Sequence, residues 1–353
     1  MTALRTPICD LFGIRYPIIQ TGMGWVAGAR LTAATSEAGG MGILASATMT
    51  YPELETAISK VKERTDKPFG VNLRTDQEDI DQRLQLLIKE QVKVASFAQA
   101  PGERMVKTLK DAGVITMPTI GAKRHAEKVA QWGVDAIIAQ GHEGGGHTGP
   151  VATTLLLPQV TATVDIPVLG AGGFYDGRGL VAALSYGADG IAMGTRFLLT
   201  RESTVPDEVK AQYLAARTKD TVVTTAIDGY PQRVIRTTMV NALEKAGGLT
   251  RFPLALKNAL KFRKLTGASL GGLFREAMAM RKQKGLTWAQ LALAANAPML
   301  TRATMVEGKH EVGILPTGQV TGVIAELPTV AELIERVMAE AEATLSRLGV
   351  AHD

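Results

Sequence analysis

Short apolar runs recur along the first 195 residues at spacings that predict β-strands alternating with helices. The runs are continuous rather than alternating, which is typical of parallel strands buried on both faces. Between most of them lie helical patterns with an apolar stripe at i, i+3, i+4 and i+7. Eight strands are predicted, at intervals of roughly 21 to 31 residues: PIIQ from Pro17, MGILAS from Met41, PFGVNL from Pro68, VKVASF from Val92, VITMP from Val114, DAIIAQ from Asp135, IPVLG from Ile166 and ADGIAM from Ala188.

The clearest helical pattern is TYPELETAISKV, which begins at Thr50. Thr50 and Glu53 have the spacing of a capping box, in which each residue binds the other's backbone N–H. The same pattern repeats in DQRLQLLIKEQ, GERMVKTLKDAG and KRHAEKVAQWG, and the last two end on the glycine expected just past a helix. The buried face of the first helix is predicted to consist of Leu54, Ala57, Ile58 and Val61.

Eight such units predict an α/β fold, a (β/α)8 TIM barrel, with an open doubly wound sheet as the structural alternative. The alternation stops after the eighth strand, and residues 201–310 contain helical patterns such as PDEVKAQYLAAR and TWAQLALAANAP. We therefore predict a barrel from residues 1–200 and 311–353, with a mostly helical cap at 201–310. The last barrel helix is expected in PTVAELIERVMAEAEATLSRLG. Its buried face would be Val330, Leu333, Ile334, Val337 and Met338.

Composition narrows the class of protein. The chain has 353 residues, 46% of them hydrophobic and 21% charged, which is typical of a globular protein. The single cysteine, Cys9, excludes an intramolecular disulfide framework, and no Cys/His cluster has zinc spacing. The N-terminal residues lack the apolar core of a signal peptide, and no run is long enough to span a membrane. We therefore expect a soluble cytoplasmic protein.

Glycine-rich segments follow the predicted strands, and in a barrel these loops meet at the rim that carries the active site. GAGG at 170–173 and MGT at 193–195 follow the seventh and eighth strands. Backbone N–H groups there, each just ahead of a helical or turning segment, predict a phosphate site. VLGAGGFYDG resembles a dinucleotide fingerprint, but its third glycine is misplaced and the unit stands late in the chain.

The segment AQGHEGGGHTG at 139–149 carries an acid and two histidines after the sixth strand. The histidines are five residues apart with three glycines between them, so they lack the i, i+4 spacing of a zinc-binding helix. No metal is expected. Because His147 ends the glycine run, where the chain should turn over the barrel mouth, we favour it over His142 as a catalytic residue. It could act as a general base or acid, or as a donor to an oxyanion.

Five motifs in this order resemble the FMN-dependent nitronate monooxygenase family, which includes the flavin-dependent enoyl-acyl-carrier-protein reductases. They are TGMGWVAG, KPFGVNL, AQGHEGGGHTG, GAGGFYDGRGL and AMGTRFL. The resemblance covers roughly residues 5 to 200 and resumes at PTGQVTGVI, 316–324. It implies a barrel with FMN at the rim and His147 as the active-site histidine.

The resemblance also implies which residues hold FMN. Gly172, Gly173, Gly194 and Thr195 would hold its phosphate. The isoalloxazine ring would contact Gly22, Met23, Asn72, Gln140 and Gly145.

Two features of the motifs bear on the substrate. Nitronate oxidisers commonly carry a basic residue and glycine after GGH, whereas this chain reads GGHTGPVATTLLLP, and Thr119 occupies a position where some of them carry lysine. The pattern is most similar to actinobacterial flavoproteins that act on a coenzyme A thioester during steroid C/D-ring breakdown. The resemblance therefore implies NAD(P)H-linked reduction or dehydrogenation of an acyl-CoA. The alternatives are a nitronate monooxygenase and a flavin-binding protein without turnover.

The net charge of +5 is concentrated at residues 251–284, where nine Lys or Arg stand against one acid, Glu276. This segment is either a solvated face or a receptor for the phosphates of coenzyme A, with Lys261, Arg263 and Lys264 as the candidate ligands. It matches no nucleic-acid-binding fold. The expected partners are thus a small-molecule substrate and a second copy in a homodimer, with no nucleic acid and no membrane.

Overall fold

A closed barrel of eight parallel strands forms the centre of the computed structural model, which describes residues 4–245, 298, 300–310 and 313–349. Each strand pairs with the next, and the last pairs with the first. Closure confirms the predicted (β/α)8 barrel and excludes the open sheet. The barrel strands are β1 (Ile18–Gln20), β2 (Met41–Ala45), β3 (Phe69–Leu73), β4 (Val94–Phe97), β5 (Ile115–Ile120), β6 (Ile137–Gln140), β8 (Val168–Ala171) and β9 (Gly190–Met193).

Helices on the outside of the barrel connect the strands, and α1 precedes the first of them. A two-residue strand, β7 (Gly146–His147), lies between β6 and α7 outside the barrel sheet. The helices of this part are α1 (Pro7–Phe12), α2 (Ala29–Glu37), α3 (Tyr51–Lys62), α4 (Ile80–Lys89), α5 (Glu103–Asp111), α6 (Lys123–Gln131), α7 (Thr153–Thr161), α8 (Gly177–Ser185) and α9 (Thr195–Leu198).

The barrel is a packed core that is closed at its N-terminal end. Inward-facing strand residues such as Ile19, Ile43 and Met117 share one buried cluster with Phe12 of α1. The Thr6 hydroxyl, at the start of α1, donates to the Asp189 carbonyl, just before β9 begins. Since α1 covers this end, the opposite rim is the end where loops can form a site.

Helix signals in the sequence correspond to hydrogen bonds in the structure. The Thr50 N–H donates to Glu53 Oε2 at 2.7 Å, as the capping box predicts. The last helix, α12 (Val330–Arg347), begins with a second capping box formed by Thr329 and Glu332. It packs on α8 and α2. Its predicted apolar face is buried: Val330, Leu333, Ile334, Val337 and Met338.

In its described residues, the segment after β9 combines helices with a small antiparallel sheet that we did not predict. It contains α10 (Asp207–Ala215), α11 (Thr238–Lys245) and helical residues at 300–305. It also contains the antiparallel strands β10 (Thr221–Thr224) and β11 (Gln232–Ile235), and β7 adds to their sheet. Four-residue strands with β-branched side chains and a Gly-Tyr-Pro turn between them are a weak signal among helical patterns.

Two sequence predictions fall outside the described residues. They are the helix in TWAQLALAANAP and the role of the basic segment 251–284. The limits 201–310 of the cap stay a prediction, and we refer to the described part of that range as the insertion. No helix of the described ranges is long and apolar enough to cross a membrane.

Candidate active site

The C-terminal ends of the strands bring the predicted cofactor loops together at one rim. On one side, Gly22 after β1 lies against Asn72 of β3, and a Cβ on Gly22 would stand 2.3 Å from the Asn72 Cβ. Gly194 after β9 lies near Met23, with 3.4 Å between its would-be Cβ and the Met23 sulfur. Glycine is required at Gly22, because any side chain there would displace Asn72.

The loops after β6 and β8 form the other side of the rim. Gly172 and Gly173 adopt φ angles of 91° and 88°, in the left-handed region that favours glycine. A Cβ on Gly172 would stand 2.9 Å from the Gly144 nitrogen, and one on Gly145 would stand 2.5 Å from the Thr317 carbonyl carbon. The loops therefore touch through their backbones, and the segment at 316–318 lies against them.

Backbone N–H groups at this rim could receive a phosphate. Within the described residues, the N–H groups of Gly172, Gly173, Gly194 and Thr195 donate to no protein acceptor. The Thr195 hydroxyl accepts from the Gly318 N–H at 2.9 Å, so its own hydrogen can still be donated. Such a group of convergent donors fits an anionic oxygen group.

At the N-terminus of α8, two backbone N–H groups already have partners within the chain. The Gly177 N–H donates to Glu340 Oε2 at 3.0 Å, and the Gly179 N–H donates to Asp176 Oδ1 at 2.9 Å. Two carboxylates thus cap this helix from within the chain. A phosphate at this rim would have to bind the loop N–H groups instead.

His142 and Glu143 of the AQGHEGGGHTG segment have structural partners. His142 Nδ1 lies 2.8 Å from the Gly149 carbonyl oxygen and closes the loop on itself. The Glu143 carboxylate accepts from the Thr153 N–H at 2.9 Å and from the Thr153 hydroxyl at 2.8 Å, which caps α7. These two side chains therefore hold the loop in place.

His147 stands apart from them because its partner comes from the insertion. Its Nε2 lies 2.7 Å from Asp228 Oδ2, and its side chain is 64% exposed whereas that of Asp228 is 9% exposed. Gln140, at the end of β6, donates from Nε2 to the His147 carbonyl at 2.7 Å. On its other side His147 pairs with Gln232 of β11. Asp228 thus holds the imidazole, and Gln140 and β11 hold the backbone that carries it.

Burial raises the pKa of the Asp228 carboxyl, but the contact with His147 and the charge of its ring, together with the Tyr230 N–H and the Gln232 side chain, lower it by more. The Tyr230 N–H also donates to Asp228 Oδ1, at 3.1 Å. The net effect is a pKa below the ordinary value, so Asp228 is ionised at neutral pH. A histidine paired with a buried carboxylate can take up or release a proton.

Two further residues of the insertion complete the surroundings of His147, and the sequence pattern did not single them out. The Tyr230 ring lies edge-on to the imidazole with centroids 6.0 Å apart. Arg233 is 3% exposed and donates from a terminal nitrogen to the His142 carbonyl at 3.0 Å. Asp228 was missed as well. The only signal for the three was their position around the DGYPQR turn.

Other predicted site residues lie elsewhere. Thr119 is half-buried near the end of β5. Lys261, Arg263 and Lys264 lie outside the described residues. Within the described part of the chain, no group of three or more His, Cys, Asp or Glu could hold a metal ion.

A TIM barrel with a glycine-lined rim and a histidine above it is a common arrangement for a cofactor-dependent enzyme. The family model of nitronate monooxygenase matches residues 5–83 and 78–340, and the chain belongs to this family. Its members are flavin-dependent oxidoreductases, so the protein is an enzyme of that class.

The similarity to individual proteins extends over nearly the whole chain. The chain is 56% identical, over 99% of both chains, to the (3aS,4S,5R,7aS)-5-hydroxy-7a-methyl-1-oxo-octahydro-1H-indene-4-carboxyl-CoA dehydrogenase of Rhodococcus jostii RHA1. It is 57% identical to the protein of the same name from Mycobacterium tuberculosis H37Rv, over 96% of both. Among solved structures, FabK from Thermotoga maritima superimposes with a TM-score of 0.81 and 34% identity, covering 98% of this chain and 99% of that one.

Proposed function

We propose that the protein is an FMN-dependent dehydrogenase of a bicyclic acyl-CoA thioester. The observation that carries the proposal is the 56% identity to the Rhodococcus dehydrogenase across 99% of both chains, which includes the insertion that supplies Asp228. The substrate class follows from that protein's name: a coenzyme A ester of a hydroxylated, methyl-substituted indane-type ketone. Enoyl reductase chemistry is the reverse hydride transfer on the same kind of carbon skeleton.

The rim fits a flavin mononucleotide. The N–H groups of Gly172, Gly173, Gly194 and Thr195 suit its single phosphate, as the resemblance implied. Gly22, Met23, Asn72, Gln140 and Gly145 lie on the neighbouring loops and strand ends, where a flat ring can approach backbone closely. FMN, when bound, supplies a two-electron carrier for hydride exchange.

The protein residues supply proton transfer and position. His147 is the candidate for handling the proton that leaves the substrate, because it is the exposed imidazole over the rim and is paired with Asp228. Tyr230 is 43% exposed beside it and offers an aromatic surface to an apolar ring system. We further propose NAD(P)H, or its oxidised form in the dehydrogenase direction, as the nucleotide that exchanges electrons with the flavin.

The visible spectrum of the purified protein tests the proposal. Bound FMN is expected to absorb in the visible range, and an anaerobic titration with the hydroxylated bicyclic CoA ester should bleach it. A colourless protein that takes up no FMN would contradict the proposal that FMN is the cofactor. Bleaching by NADH or NADPH tests the co-substrate separately, and gel filtration tests the predicted homodimer.

A nitronate monooxygenase is the second candidate, because the family model that matches the chain has that activity in its name. It would consume oxygen with alkyl nitronates, and His147 would serve as its base. Bound flavin that no CoA ester bleaches, together with rapid oxygen uptake on a nitronate, would replace the first proposal by this one.

The loop after β8, which contains Gly172 and Gly173, can be tested by a substitution with a matched control elsewhere in the chain. Gly173 has a φ of 88°, so alanine at this position would be strained. Gly113 has a similar φ of 77°, and a Cβ there would have no atom within 4 Å, so Gly113→Ala is the control. Each change should cost about 1 kcal/mol of stability from backbone strain. Only Gly173→Ala is expected to weaken FMN retention, by roughly tenfold for about 1.4 kcal/mol of lost binding. Equal flavin content in both variants after gel filtration would argue against a cofactor role for this loop.

A further inference from the structure

We propose that Asp228 is a positioning residue that fixes the tautomer of His147, so that Nε2 carries the proton and Nδ1 is the nitrogen that accepts a proton from the substrate. The inference rests on the proposed function for the identity of the substrate. The tautomer of His147 follows from the contacts of Asp228 within the chain and does not depend on the substrate. Among the roles that the sequence left open for His147, a general base or acid or a donor to an oxyanion, it favours the base.

The Asp228 carboxylate is held by a donor on each oxygen. Its Oδ2 lies 2.7 Å from His147 Nε2, and its Oδ1 accepts from the Tyr230 N–H at 3.1 Å. The residue is 7% exposed, so water has little access to compete for either oxygen. With a donor on each oxygen, the carboxylate is held against rotation about its Cβ–Cγ bond.

The chemistry of this contact sets the proton on the imidazole. An ionised carboxylate only accepts hydrogen bonds, so the proton in the contact belongs to Nε2. The lowered pKa of Asp228 is consistent with the ionised form. In a neutral imidazole one nitrogen donates and the other accepts, so Nδ1 is the acceptor. Within the described residues Nδ1 makes no hydrogen bond, and the ring is exposed over the rim.

Hydrogen bonds also hold the backbone of His147. Gln140 donates to its carbonyl at 2.7 Å, and Gln232 of β11 pairs with it. The edge of Tyr230 limits rotation of the imidazole. In the proton step, the C–H bond next to the thioester carbonyl breaks, an N–H bond forms at Nδ1, and the electron pair stays on the carbon. The ionised Asp228 stabilises the imidazolium that results.

In the variant Asp228→Asn, the Tyr230 N–H is expected to orient the new amide and thereby to change the tautomer of His147. The amide oxygen should take the place of Oδ1 and accept from Tyr230, which turns the amide NH2 toward Nε2. Nε2 must then accept, so the proton moves to Nδ1 and the working nitrogen is blocked. We expect kcat to fall by about a hundredfold or more, as when a catalytic histidine is held in the wrong tautomer. KM and flavin content should change little.

Nitrogen NMR of histidine-labelled protein measures the tautomer directly, without substrate. His147→Gln identifies the His147 signals among the five histidines of the chain. The control is Asp207→Asn, whose side chain is 93% exposed. The proposal requires the Nε2–H form in the native protein and the Nδ1–H form in Asp228→Asn. A native Nδ1–H form, an unchanged tautomer in the variant, or an unchanged kcat after the tautomer has moved would each overturn it. If the bicyclic CoA ester is not a substrate, the spectra still decide the tautomer.

Discussion

Substitution of His147 by glutamine is expected to lower kcat by roughly a hundredfold to ten-thousandfold, the range typical of a lost general base. Glutamine can still donate a hydrogen bond to Asp228, but its amide cannot take up a proton at neutral pH. The described contacts of the imidazole ring are with Asp228 and Tyr230, so the flavin loops should be undisturbed. Turnover of the CoA ester and the flavin absorbance together measure the effect.

His142→Gln is the matched control, because it removes the other histidine of the same segment. His142 Nδ1 contacts the Gly149 carbonyl oxygen, and a glutamine amide can supply a comparable hydrogen bond. Its kcat should stay within about threefold of the native value, less than 1 kcal/mol of barrier. If His142→Gln lost activity while His147→Gln kept it, the assignment of the two histidines would be reversed.

The substitution Arg83→Met is expected to have the largest effect on stability. Arg83 is 2% exposed and pairs with Asp79 at 2.7 Å, and its terminal nitrogens donate to the carbonyls of Ser46 and Met49 at 3.1 and 2.7 Å. Methionine fills the space but leaves the Met49 carbonyl and the Asp79 carboxylate without this donor, whereas the Ser46 carbonyl still accepts from the Met49 N–H at 3.0 Å. Because an unsatisfied buried acceptor costs about 1–3 kcal/mol, the free energy of unfolding should fall by about 2 kcal/mol.

Arg104→Met provides the comparison for an exposed ion pair. Arg104 pairs with Asp81 at 2.8 Å, but the two side chains are 66% and 65% exposed. Its loss should change the free energy of unfolding by less than about 1 kcal/mol. Denaturant unfolding of both variants measures the difference, and equal losses would show that the Arg83 contacts add little.

Much of the barrel could be predicted from local pattern, because its strands are buried on both faces and its helices have one apolar stripe. The capping box at Thr50 and the apolar face of α12 are confirmed as predicted. β10 and β11 were missed. Their four residues each are too few for periodicity to separate strand from helix, and their sheet includes β7, which lies far away in the sequence.

The part of the candidate site that the sequence could predict is the set of glycine-rich loops, because each loop follows a strand that can be recognised locally. The glycines of the rim loops stand out because each close approach removes the option of a side chain. Asp228 has no such signal, since its contact with His147 joins residues 81 positions apart. The caps on α8 were also hidden, because Glu340 reaches Gly177 from the far end of the chain.

The origin of the two partners in the His147–Asp228 pair has a consequence for how such enzymes can diversify. Every predicted flavin-binding residue belongs to a barrel loop or strand end, whereas Asp228 and Tyr230 belong to the hairpin of the insertion. Exchange of that hairpin between relatives would change the partner of the histidine and the surface beside it, and it would also change the contacts that β11 makes with the loop after β6. Variation in the hairpin would therefore act on the histidine through both its side chain and its backbone.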